Sequence, residues 1–217
     1  DSGNAYMAGW TYSDDVIAFG GDQNMRGGND DAFLVKFNAD GMRLWATYCG
    51  GGNSDIGYFC SVDGNGNVYL AGKTRSGNGI ASNGHQEAYG GGNSDAFLVK
   101  FDTNGIRQWG SYYGGTSEDE GYSCAVDGGG NVYLTGFTES DTAISSNGHQ
   151  NTYGEGGGDG FLVKFSGNGV RQWATYYGGS GSDVGNSCAV DGNGNVYMSG
   201  ATYSNNAIAS GGHQNTY

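Results

Sequence analysis

The chain of 217 residues is long enough to bury a core, and it combines 46 Gly and no Pro with 16 Tyr, 9 Phe and 4 Trp. So many large aromatic side chains exclude a disordered, glycine-rich linker and imply a packed protein with many tight turns. A formal charge of −13 repels nucleic-acid phosphates and anionic membranes, so no nucleic-acid partner is expected. No apolar run approaches the roughly 18 residues of a membrane-spanning helix, so this segment predicts no membrane span.

Taken in chain order, the first strand-like run is "NAYMAGWT" from Asn4, followed by "DAFLVKF" from Asp31 and a run around Trp45. Four more follow: "YFCSVD" from Tyr58, "NVYLAGKT" from Asn67, "DAFLVKF" from Asp95 and "RQWGSYY" from Arg107. The same four return one repeat later, and two of them return again from Cys188 onward. These runs are rich in Val, Phe, Tyr, Trp and Leu and bounded by Gly or Asn, as strands are. In "DAFLVKF", the two-residue period puts Phe97, Val99 and Phe101 on one face and Leu98 and Lys100 on the other. No segment keeps a helical period.

The repeat step is 64 residues, shown by Asp31, Asp95 and Asp159, by Trp45, Trp109 and Trp173, and by Cys60, Cys124 and Cys188. Four strands per unit is the arithmetic of a propeller blade, whose faces are buried only by neighbouring blades. The expected fold is therefore all-β: a β-propeller-type repeat array of four-stranded antiparallel blades, about three and a half units long and not obviously closed. The expected divisions are a partial first unit at 1–56 with three strands, complete units at 57–120 and 121–184, and a partial last unit at 185–217 with two strands. Closed propellers typically hold about four to eight blades. The chain also starts without an initiator Met or signal peptide, so it reads as processed, excised or partial. Either it is a piece of a longer propeller, or the unfinished ends of neighbouring subunits complete one another head to tail.

The stretch from Asp95 to Thr138, "DAFLVKFDTNGIRQWGSYYGGTSEDEGYSCAVDGGGNVYLTGFT", resembles the bacterial SBBP-type β-propeller repeat. The resemblance extends over essentially the whole chain. It implies a propeller fold in secreted or surface-exposed bacterial proteins and no common catalytic activity.

The alternating acids and amides of "DGNGNVYLAG" from Asp63 could open a calcium loop. However, an EF-hand loop needs Gly at its sixth position and Glu at its twelfth, where this sequence has Val68 and Thr74. The middle copy reads Asp127, Gly129, Asn131 and lacks one ligand, so a turn is the expected reading. Asp55, Asp119 and Asp183 recur in the "GG" loop and are weak calcium candidates; otherwise no cofactor is expected. The clusters Asp14-Asp15, Asp30-Asp31 and Glu118-Asp119-Glu120 read as solvated surface.

His85, His149 and His213 occupy one loop position, which Asp22 fills in the first copy, and each is expected to bond its own blade. Cys60, Cys124 and Cys188 read as small buried residues. Cys49 stands where the other units have Tyr113 and Tyr177, and a Cys49–Cys60 disulfide is possible in an extracellular setting. The residue after the Gly of the Val-Tyr strand varies as Trp10, Lys73, Phe137 and Ala201, which makes Trp10, Lys73 and Phe137 a possible binding surface.

The expected function is a non-enzymatic, extracellular or cell-surface scaffold for adhesion or structure. Its partners would be further copies of the same repeat, with glycans or surface proteins as possible ligands. The alternatives are a subunit of a head-to-tail extracellular filament, and a carbohydrate-binding or hydrolytic propeller.

Overall fold

The computed structural model describes residues 3–214. Thirteen strands and no helix lie among them, grouped in four antiparallel sheets. The first blade holds β1 (Ala5–Thr11), β2 (Asp31–Phe37) and β3 (Arg43–Cys49). The second holds β4 (Asp55–Val62), β5 (Val68–Thr74), β6 (Asp95–Phe101) and β7 (Arg107–Tyr113). The third repeats it with β8 (Asp119–Val126), β9 (Val132–Thr138), β10 (Asp159–Phe165) and β11 (Arg171–Tyr177). The fourth has β12 (Asp183–Val190) and β13 (Val196–Thr202).

The strand count matches the sequence expectation of three, four, four and two. The strands β4, β8 and β12 begin two residues ahead of the expected divisions at 57, 121 and 185. Their first residues are the recurrent Asp55, Asp119 and Asp183, which the "GG" turn leads into. Among the described residues no sheet closes on itself, and the blades form a stacked array.

Strand pairing explains the turns. The Asp63 carboxylate accepts from the amides of Asn65 and Asn67, both at 2.9 Å, and from Asn67 Nδ2 at 2.8 Å. Gly66 supplies the positive φ, +82°, that closes the hairpin between β4 and β5. Asp127 makes the same bonds in the middle copy, with Gly129 donating its amide in place of Asn65. The stretch is a turn whose acid bonds its own backbone, and the side chain lost from the middle copy was never needed.

The two-residue alternation is present, but both faces of an inner strand are buried. Phe97, Leu98, Val99 and Phe101 of β6 are all fully buried, and only Lys100 keeps partial exposure. The first face packs on Ala32, Leu34 and Trp45 of the preceding blade, and Leu98 joins a cluster with Phe161 and Phe165 of the following one. Within the blade, Gly72 on β5 lies opposite Phe97 of β6, and a Cβ there would lie 2.7 Å from that ring. Every inner blade therefore stands between two neighbours and shares its core with both.

Candidate functional site

The polar residues that recur with the repeat meet at the seams between blades. Asp95 opens β6 in one blade and Asp119 opens β8 in the next, and both are fully buried. They converge on Gly114, where an added Cβ would meet Asp119 Oδ2 at 2.6 Å and Asp95 Cγ at 2.8 Å. Asp31 and Asp55 converge on Gly50 in the preceding seam, and Asp159 and Asp183 on Gly178 in the following one. Only glycine fits between two such carboxyl groups, which explains the "GG" of the turn.

Donors surround each pair. Asp119 Oδ2 accepts from the Gly115 amide and the Ser140 hydroxyl, both at 2.8 Å, and Oδ1 accepts from Thr138. Asp95 Oδ2 accepts from the Gly90 amide at 2.7 Å, while its Oδ1 is buried without a hydrogen-bond partner. Asp159 repeats that orphaned oxygen, and so does Asp183. Burial raises Asp95 to about 7 and Asp55, Asp119 and Asp159 to about 6, against the hydrogen bonds that favour the ionised form. The like charge of Asp119 raises Asp95 further, and that of Asp183 raises Asp159.

This shell is a poor calcium cage. Calcium takes six to eight oxygen ligands, whereas each seam turns N–H and O–H donors toward its carboxylates. Among the described residues, no group of three or more His, Cys, Asp or Glu could hold a metal ion. Two acidic clusters expected at the surface are partly or wholly internal: Asp30 and Asp31 are buried, as are Asp119 and Glu120. Seam packing overrides the usual solvation of such runs. Asp14 and Asp15 remain exposed, with Asp14 paired to Arg26.

The variable position also serves the seams. Lys73 Nζ pairs with Glu120 Oε1 of the next blade at 2.5 Å, and Tyr58 donates to the other Glu120 oxygen at 3.2 Å. Phe137 lies opposite Glu120 in the β8–β9 register and stays half-buried. Trp10 alone of the three is widely exposed, 48%, with its ring edge-on to Tyr12 at 5.3 Å.

The histidine loop reaches the next blade rather than its own. His85 lies 6.2 Å from the Phe165 ring of the third blade, and burial lowers its basicity. Asp22, its counterpart, pairs with Arg107 of the second blade at 3.4 Å. His149 and His213 are exposed.

The possible disulfide is not formed, and all four cysteines are free thiols. Cys49 ends β3 of the first blade and is fully buried, whereas Cys60 lies within β4 of the second. Burial pushes Cys49 up to about 12 and Cys60 and Cys188 up to about 11, which leaves the thiols protonated and inert. Cys124 and Cys188 fill the small buried positions expected of them.

Sequence reasoning missed the partners Asp31, Asp95 and Asp159. Their recurrence at the 64-residue step was visible, but their meeting with the following unit's Asp depends on how blades stack.

Fold and seams together define an array of β-propeller repeats whose recurrent polar residues bind blade to blade. Residues 172–206 match the family model SBBP, described as a beta-propeller repeat, and the motifs of that segment recur through the chain at the 64-residue step. The chain is also 28% identical over 146 residues to "Regulatory protein FlaEY" of Caulobacter vibrioides. That alignment takes in 67% of this chain and 15% of the relative's length.

Proposed function

We propose that the chain is a non-enzymatic β-propeller-repeat scaffold, carried outside the cell or on its surface, whose stacked blades present loops for adhesion or structure. One observation carries this reading: the recurrent tryptophans and lysines of the first two blades, Trp45 with Lys36 and Trp109 with Lys100, donate to a carbonyl of the next blade, and the recurrent acids are held by amides and hydroxyls at the seams. Catalysis would need an asymmetric constellation of nucleophile, base and orienting group, and residues repeated three times over for packing do not provide one. The exposed Trp10 and Tyr12 pair offers an aromatic contact to a glycan or a surface protein.

The test is antibody labelling of intact and permeabilised cells, together with binding of the labelled protein to those cells. The reading expects labelling without permeabilisation and about a tenfold loss of cell binding in Trp10→Ala. Labelling that appears only after permeabilisation would overturn the surface reading.

A further inference from the structure

A cavity of about 320 Å³ opens at the seam between the second and third blades. Part of its lining is fixed by the fold. Trp109 Nε1 and Lys100 Nζ, from β7 and β6, both donate to the Gly167 carbonyl of the β10–β11 turn at 3.0 Å, and the Lys100 ammonium lies over the Tyr69 ring at 5.3 Å. These groups are committed to the seam.

Four amide side chains line the rest: Asn67 just before β5, Asn83 in the β5–β6 loop, Gln108 on β7 and Asn168 in the β10–β11 turn. Their hydrogen bonding is incomplete. Among the described residues, the side-chain oxygens of Asn67, Asn83 and Gln108 accept no hydrogen bond, although their amino groups donate to Asp63, Ser82 and the Ile106 carbonyl. Asn168 is exposed, and its side chain bonds no other described residue. Elsewhere the fold uses such groups: the side-chain oxygens of Gln23, Gln86 and Gln150 accept from glycine amides at 3.2, 3.3 and 3.2 Å.

Packing does not require this amide set, as the first seam shows. There Trp45 and Lys36 hold the Thr103 carbonyl in the same way, at 2.9 and 3.0 Å, yet Leu44 stands at the position of Gln108 and Gly20 at that of Asn83. Gly20 has φ of +65° and Asn83 of +55°, so the turn accepts glycine and has no need of the Asn83 side chain.

We propose that this cavity binds a neutral saccharide, whose hydroxyls exchange hydrogen bonds with the amides of Asn67, Asn83, Gln108 and Asn168. An amide offers donors and an acceptor side by side, and a sugar hydroxyl is both donor and acceptor. The volume lies at the low end of the roughly 300–1,000 Å³ of ligand sites, which suits a small molecule or the end of a chain. Anionic ligands are disfavoured by the formal charge of −13 and by the Asp63 carboxylate, which accepts from Asn67 at 2.8 Å. The site deepens the adhesion reading by adding a glycan contact away from Trp10. Cell labelling tests where the protein resides and sugar binding by the purified chain tests this cavity, so either can fail without the other.

Saturation-transfer NMR and calorimetry on the full chain test the proposal with maltose, cellobiose, lactose and N,N′-diacetylchitobiose, and with glucuronic acid as the anionic comparison. The variants are Gln108→Leu, Asn168→Ala and Gln172→Leu, the last making the same exchange one repeat later, outside this cavity. All three residues are exposed, and unfolding midpoints equal to that of the native chain establish that the variants fold.

At least one of the neutral disaccharides should bind saturably. Gln108→Leu and Asn168→Ala should each weaken that binding at least about tenfold, and Gln172→Leu should leave it unchanged. The proposal is overturned if no neutral disaccharide binds, if glucuronic acid binds more tightly, or if both cavity variants keep the native affinity. Equal losses in Gln108→Leu and Gln172→Leu would overturn it as well, because the effect would then belong to the repeated motif and not to this cavity.

Discussion

The second and fourth blades carry nearly the same motifs in different surroundings. On β5, Tyr69 and Leu70 are fully buried; on β13, Tyr197 is 59% exposed and Met198 only half-buried. The hydrogen-bonded register from Val62–Val68 to Asp55–Thr74 is repeated from Val190–Val196 to Asp183–Thr202. Local pairing is therefore the same, and what differs is the layer that covers it. A blade's strands follow from its own sequence, whereas its core is completed by its neighbours.

The largest test of that difference sets Trp109→Ala against Trp173→Ala. Trp109 is 4% exposed and closes a seam, so its truncation should cost about 3–5 kcal/mol. Trp173 is half-buried, and its truncation should cost less than half as much. Denaturant unfolding of the two variants checks this, and equal losses would break the comparison.

The seam carboxylates give the next effect. Burial raises Asp95 to about 7 and Asp55, Asp119 and Asp159 to about 6, so the folded chain holds protons that the unfolded chain releases. Their contribution is full below about pH 3.9, the ordinary Asp value, and is lost as pH rises through 6 to 7. The unfolding temperature should fall between pH 5 and pH 8. Asp95→Asn should flatten that fall and stabilise the chain at pH 8 by about 2 kcal/mol, since a neutral amide replaces a buried charge. Unfolding temperatures that rise across the same interval would contradict the assignment.

A smaller effect separates the hairpin turns from the layers. Asp127→Ala removes bonds from the amides of Gly129 and Asn131 and should cost about 1 kcal/mol. Asp191 makes the same bonds in the uncovered blade, so Asp191→Ala should cost about the same, because the turn is local. Matching losses in chemical denaturation sharpen the contrast with the tryptophans. The smallest change is at Val16, a β-branched residue at φ +65° where the second blade has Gly79 at +82°. Val16→Gly should raise stability by up to about 1 kcal/mol, measured as a shift in the unfolding midpoint.

What the sequence made legible follows the same division. Thirteen strands, their faces and the Asp63 turn could be read because each depends on residues close in sequence. The repeat added the blade, since Trp45, Trp109 and Trp173 mark one phase. The pairing of Asp95 with Asp119 could not be read, nor that of Lys73 with Glu120, because each joins residues of different blades. The Cys49–Cys60 bond failed as an expectation for a related reason: the two residues are near in sequence but belong to strands of separate sheets. The reach of His85 to the third blade shows once more that proximity across a seam is set by stacking rather than by sequence distance.

Native-state amide hydrogen exchange tests directly whether stability resides in the stack. Strands β5, β6, β9 and β10, covered on both faces, should exchange slowest, near the rate set by global unfolding, while β1 and β13 should open first despite identical pairing. Uniform protection along all thirteen strands, or slowest exchange in β13, would contradict the account.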